Sequence, residues 1–148
     1  MKAGAYRGTI LVKDGEKVIS TLGITVNVGQ RTLPPPSEWA FHLDLWQNPY
    51  AVARYYQVTP WSKEHFDYMR PHMKLYADAG GKSITASIMH KPWNGQTYDY
   101  FESMVTWIKK ADGTWMFDYT VFDKWVEFMM EMGIRKQINC YSMVPWKL

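Results

Sequence analysis

The sequence predicts an α/β fold made of parallel βαβ units and preceded by a β-hairpin. Three observations lead there. Two β-rich runs flank an Asp14-Gly15 turn signal. Prolines Pro34, Pro35 and Pro36 then interrupt the chain, and beyond them short apolar strands alternate with helical periodicity.

Tyr6–Val12 is rich in β-branched and apolar residues, and Lys13-Asp14-Gly15-Glu16 turns the chain back. In the return run Ile24, Val26 and Val28 alternate with Thr25 and Asn27, the pattern of a half-buried strand. A lone hairpin is marginal in water, so residues 1–32 read as the terminal hairpin of a β-sandwich. Residues 33–38, with their three prolines, form a semi-rigid linker. From residue 39 to 148 the rhythm becomes strand, helix, strand, helix, strand. The expected strands are Trp39–Leu45, Ser83–Met89 and Lys136–Cys140. The first helix is capped by Ser62, carries Phe66, Met69, Met73 and Tyr76 on one face, and stops at Gly80-Gly81. Pro71 within it predicts a kink or break. The second helix, Thr120–Met132, turns Phe122, Trp125, Val126 and Met129 inward and ends at Gly133. Between them a long insertion has Asp112-Gly113 at its centre, which predicts a hairpin across Val105–Phe117. Tyr98–Trp107 reads equally well as the start of a helix.

Composition narrows the function. Hydrophobic residues make up 47% of the 148 and charged residues 21%, so the chain is globular rather than disordered. A net charge of +3 with scattered Lys and Arg offers no basic stripe for nucleic acid. No apolar run is long enough to span a membrane. The single Cys140 excludes an internal disulfide and reads as a core residue on its strand. The four His show no ligand spacing, and His65 and His72 read as surface; no metal or other cofactor is expected. The departure from average is aromatic: 8 Trp, 10 Tyr and 6 Phe.

Those aromatics have a pattern. Each predicted strand has a Trp just past its end (Trp46, Trp93, Trp146) with a polar companion: Asp44, His90, or Tyr141 with Ser142. In a (β/α) barrel all strand ends open on the face that holds the active site. Three aromatics there read as a pocket wall, against the alternative of core packing. Aromatic faces with polar edges suit sugars, which present an apolar C–H face and a hydroxyl rim. Asp44 either binds a substrate hydroxyl or fixes a loop by accepting N–H bonds. His90 either donates to a sugar or caps its loop. Tyr98, Asp99 and Tyr100 either close over a ligand or pack the long loop down. No pair of carboxyl groups stands out as a general acid and base.

Several longer runs resemble one family. Phe41-His42-Leu43-Asp44-Leu45-Trp46-Gln47-Asn48-Pro49, Trp61-Ser62-Lys63-Glu64-His65-Phe66, Lys91-Pro92-Trp93-Asn94-Gly95-Gln96-Thr97-Tyr98-Asp99 and Cys140-Tyr141-Ser142-Met143-Val144-Pro145-Trp146 are similar to the catalytic domain of glycoside hydrolase family 123. The resemblance implies a β-sandwich before a (β/α)8 TIM-type barrel, of which this chain would hold about three strands. It also implies an exo-β-N-acetylgalactosaminidase, exported to the periplasm or cell surface of a bacterium. The substrate's own 2-acetamido oxygen would attack the anomeric carbon, steered by an adjacent Asp-Glu pair. No Asp-Glu dipeptide occurs in this sequence. The expectation is therefore a fragment that supplies part of a pocket for a terminal N-acetylhexosamine, is inactive alone, and self-associates through its open barrel edge. The competing readings are a non-catalytic carbohydrate-binding module and a protein-interaction domain with an aromatic face.

Overall fold

The computed structural model describes residues 1–93 and 95–141. The chain divides into two compact units, Met1–Pro34 and Pro35–Leu148.

The first unit is a hairpin of β1 (Gly4–Asp14) and β2 (Lys17–Val28), antiparallel over eleven residue pairs. Gly15 turns the chain with φ +55°, a left-handed angle that glycine adopts without strain. Pairing shifts by one residue between Val12 and Lys13, which leaves Ile19 unpaired as a bulge. Up to the bulge, Tyr6 opposes Val26, Gly8 opposes Ile24 and Ile10 opposes Leu22, all on one face. Arg7–Thr25 and Ala5–Asn27 lie on the other. The apolar face is exposed, Leu22 by 54%.

In the second unit α1 (Pro49–Tyr56) and α2 (Lys63–Asp78) precede β3 (Ser83–Ser87). The hairpin β4 (Thr106–Lys109) and β5 (Trp115–Asp118) follows, then α3 (Thr120–Met132) and β6 (Gln137–Tyr141). β3 and β6 pair in parallel from Ser83↔Gln137 to Ser87↔Tyr141, with α3 in the connection between them. The result is a mixed α/β unit. Its core is Met69, Met73 and Tyr76 from α2, Ile84 and Ala86 from β3, and Trp125, Phe128 and Met129 from α3. These are the helical faces that the apolar spacing predicts. α3 has the bounds expected of it and ends where the Gly133 N–H returns to Met129 O at φ 112°.

Four expectations need correction. Trp39–Leu45 is not a strand. Only Leu43 pairs, as a single parallel bridge to Gly81 with Lys82 N–H donating to Leu43 O. The edge of β3 that such a strand would fill is taken by side chains. Gln47 accepts from Thr85 N (2.7 Å) and donates to Ser83 O (3.3 Å), and the Tyr76 hydroxyl accepts from Ser83 N (3.3 Å). α2 runs unbroken through Pro71, whose ring sits on an exposed face of the helix. His65 is fully buried rather than on the surface. Its Nδ1 accepts from Trp61 N–H (2.9 Å), so the neutral ring carries its proton on Nε2 and donates to Pro49 O (2.8 Å). Cys140 is exposed, because among the described residues β6 pairs along one edge only. α1 itself follows from signals that the strand reading of the preceding segment obscured: Asn48 caps it, Pro49 opens it, and Asn48 Oδ1 accepts from Ala51 N–H at 3.1 Å.

Candidate functional site

The ends of β3 and β6 are adjacent because the two strands are parallel, and Tyr141 at the end of β6 meets the segment that leaves β3 in an aromatic cluster. Tyr141 closes β6, and Trp93 lies six residues beyond β3. Trp93 is almost fully buried, with ring centroids 4.7 Å from Tyr141, 4.4 Å from Phe101 and 5.7 Å from Trp46. Trp46 stands edge-on to Tyr141 at 5.2 Å and keeps 52% of its surface exposed. Tyr50 and Trp61 extend the cluster below, each ring near-perpendicular to its neighbour. Among the described rings of the cluster, Trp46 is thus the most open, on a packed aromatic base. Beside it lies a cleft of about 290 Å³ lined by Trp46, Gln47, Asn48, Trp93, Gln96 and Phe101.

Trp46 is held from both sides. The next residue, Gln47, is buried and bonded to β3, and Asn48 caps α1. Asp44 reaches β6, where its Oδ2 accepts from Asn139 Nδ2 at 2.8 Å. The Tyr141 hydroxyl is held above the usual phenol range by burial and then by the Asp44 carboxylate, with a bond from Trp46 acting the other way. Among the described residues, Asp44 Oδ1 and Trp93 Nε1 are buried and have no hydrogen-bond partner. Such atoms in a native site ask for water or ligand. No three His, Cys, Asp or Glu side chains among the described residues gather as metal ligands do.

The model for the glycoside hydrolase 123 catalytic domain matches residues 46–148, well over half of the chain. The chain belongs to glycoside hydrolase family 123. A family 123 glycoside hydrolase from Clostridium perfringens, solved in a study of glycolipid glycan hydrolysis, superimposes with a TM-score of 0.89 at 39% identity. The match covers 98% of this chain and 27% of that one, so the chain spans about a quarter of the relative's length. A search of curated proteins returned no match.

Within this family 123 chain the sequence-selected residues fall into three groups. Asp44, Trp46, Trp93 and Tyr141 come together in the cluster. His90 is exposed and lines a different cavity with Met89 and Trp107. Tyr98 and Asp99 are tied to α1. The Arg54 guanidinium pairs with both Asp99 oxygens (2.6 and 3.1 Å), and its carbon sits 4.6 Å from the Tyr98 ring centroid. Thr97 Oγ1 donates to Asp99 O, closing the turn. For Asp99 the geometry is loop anchoring, while Tyr98 stays exposed. Trp146, with Ser142, lies outside the described residues. Sequence reasoning missed Gln47, Tyr50, Phe101 and Asn139. Gln47 stands beside Asn48 and Asn139 between Ile138 and Cys140, and nothing in their spacing says that they reach across to another segment.

Proposed function

We propose that this chain forms part of the sugar pocket of an exo-acting β-N-acetylgalactosaminidase, with Trp46 as the platform for the terminal N-acetylhexosamine. The observation that carries the reading is the Trp46–Trp93–Tyr141 cluster at the adjoining ends of two parallel strands. One ring there is open, and one carboxylate oxygen and one indole N–H are buried without partners. In this reading the sugar stacks its C–H face on Trp46, and a hydroxyl or a water on it satisfies Asp44 Oδ1. Asn139 fixes the Asp44 carboxylate through its Oδ2, and the raised pKa keeps Tyr141 protonated as a hydrogen-bond donor. We read residues 39–148 as the start of a (β/α)8 barrel and residues 1–32 as a sandwich hairpin joined by the 33–38 linker. Parallel β3 and β6 connected through α3, with Leu43 bridging on the far side, support the barrel reading.

The reaction itself belongs to substrate assistance. The 2-acetamido oxygen closes on the anomeric carbon as the glycosidic bond breaks, a neighbouring carboxyl group protonates the leaving oxygen, and water then reopens the ring. Without an Asp-Glu pair the chain contributes recognition rather than acid–base chemistry. Titrating N-acetylgalactosamine while following indole N–H resonances tests this. The expected result is saturable shifts at Trp46 and Trp93, lost in Trp46→Ala, with no hydrolysis of an aryl N-acetyl-β-galactosaminide. Indole signals that stay fixed to tens of millimolar sugar would remove the proposal.

A further inference from the structure

Lys82 immediately precedes β3 and Lys136 immediately precedes β6. The parallel pairing therefore sets both lysines at the ends of the strands away from the aromatic cluster, about 15 Å of strand from it. A cavity of about 320 Å³ lies there, lined by Ser37, Gly80, Lys82, Gly133, Arg135 and Lys136. Its two loops are tied side by side, because Gln137 N–H donates to Lys82 O at 3.1 Å. A third segment closes on them at Pro36. A Cβ on Gly80 would lie 2.7 Å from Pro36 O, so the missing side chain is what lets that turn approach.

Lys82 is only 6% exposed, which is rare for a lysine without a counter-charge. Its Nζ donates to Ser37 O at 2.9 Å and to Pro36 O at 3.5 Å, both backbone carbonyls. Arg135 spends its Nε on Met130 O at 2.8 Å. None of Lys82, Arg135 and Lys136 has an ion pair among the described residues. The carboxylates nearest along the chain, Asp78 and Glu131, are taken by Lys74 and Arg70. No acidic side chain among the described residues lines the cavity. Part of the positive charge faces the ends of α2 and α3, which stop at Asp78 and Met132. Each helix C-terminus presents about half a negative charge, so the two offset about one of three cations. About two positive charges remain, one of them on a buried ammonium, and a buried charge without a counter-ion is costly.

We propose that this cavity binds a phosphate group, free or as a small monoester. Lys82 is its buried ion partner, and the guanidinium of Arg135 and the ammonium of Lys136 close on it from the rim. A dianion matches the charge left over. The volume, at the small end of ligand pockets, takes a phosphate and a few further atoms. The two free terminal nitrogens of Arg135 suit two phosphate oxygens at once. Bound there, the anion ties together the turn at Pro36 and the loops that enter β3 and β6. The site stands apart from the Trp46 cleft and does not depend on how that cleft is read.

The test follows backbone amide signals of the full chain while inorganic phosphate or glycerol 3-phosphate replaces sodium chloride at constant ionic strength. The expected result is shifts at Gly80, Gly133 and Lys136 that saturate in the low millimolar range, with the Trp46 and Trp93 indole signals stationary. Lys136→Gln and Arg135→Gln, both at exposed positions, should each weaken binding about tenfold, one charge-assisted bond's worth. Lys82→Met should abolish it; where that variant does not fold, the two exposed variants decide. Saturation by inorganic phosphate alone assigns the free ion, and tighter saturation by glycerol 3-phosphate assigns the monoester. Shifts that rise linearly without saturating, as general exclusion of a kosmotropic ion from the surface gives, overturn the site. Saturation that is unchanged in Lys136→Gln and Arg135→Gln overturns it as well.

Discussion

Replacing Gln47 by Met tests whether one side chain stands in for a strand. Gln47 is buried at the edge of β3, where its Oε1 is the acceptor for Thr85 N–H at 2.7 Å. Methionine keeps the length and loses both bonds to β3 together with the one to Leu45 O, and the two losses on β3 are unequal. Ser83 O retains the Tyr76 hydroxyl at 3.1 Å, so it stays satisfied. Thr85 N–H has no second acceptor among the described residues and becomes a buried orphan. One unsatisfied buried donor costs about 1–3 kcal/mol. With a urea m-value of about 2 kcal/mol/M, the midpoint should fall by about 0.5–1.5 M without a change in slope. Tryptophan emission follows the transition, since the buried Trp125 donates to Thr85 O on the same strand. A midpoint that moves by less than about 0.2 M would mean that β3 does not depend on Gln47 for its edge, and the side-chain pairing argument fails.

Other outcomes follow from the same geometry. Gly81→Ala places a methyl group against the ring of Tyr76, and displacing that ring breaks its bonds to Leu43 O and Ser83; unfolding should show a loss of about 1–3 kcal/mol. Ser62→Ala removes the cap that His65 N–H donates to at 3.2 Å, at a cost of about 1 kcal/mol by thermal or urea melts. Burial lowers the His65 pKa below its ordinary 6.5, so the unfolded chain binds the proton more readily. The stability from keeping it neutral is complete above pH 6.5 and is lost as pH falls through the depressed value. Urea midpoints at pH 7.5 and 5.5 should show this fall, and His65→Gln should flatten it. Among the described residues one edge of β6 has no partner strand, and with Ile138 exposed that edge should make the chain self-associate, read as concentration-dependent elution on size exclusion.

What the sequence made legible is what local rules govern. Ser62, Gly133 and the Met69–Met73–Tyr76 stripe act within a turn or two of chain, so α2, α3 and their buried faces follow from spacing alone. The Asp14-Gly15 and Asp112-Gly113 turns likewise announce both hairpins. Trp39–Leu45 misleads because its apolar run satisfies the local signal of a strand, while Gln47 and Tyr76 already occupy the edge it would need. His65 reads as surface by residue type. It is buried because the tight turn at Trp61 (φ 66°) and the carbonyl of Pro49 supply both partners of a neutral imidazole. Neither partner is visible in a helical pattern.

The site shows the same division one level up. Trp46, Trp93 and Tyr141 stand out in the sequence because each follows a predicted strand, while under the proposed function the orientation of Trp46 is set by its neighbours. Gln47 is committed to β3 and Asn48 to α1, so the backbone on the far side of the indole is fixed by two separate elements. A stacking ring gains affinity when its orientation is already set before the ligand arrives, because little ordering remains to be done on binding. Below it, His65 holds Trp61, Trp61 packs edge-on to Tyr50, and Tyr50 meets Phe101, which abuts Trp93. The aromatic cluster is therefore anchored to the helical core through a buried neutral histidine. Protonating His65 should therefore loosen the base of the cleft. Sugar affinity and global stability would then decline together as the pH drops below 6.5.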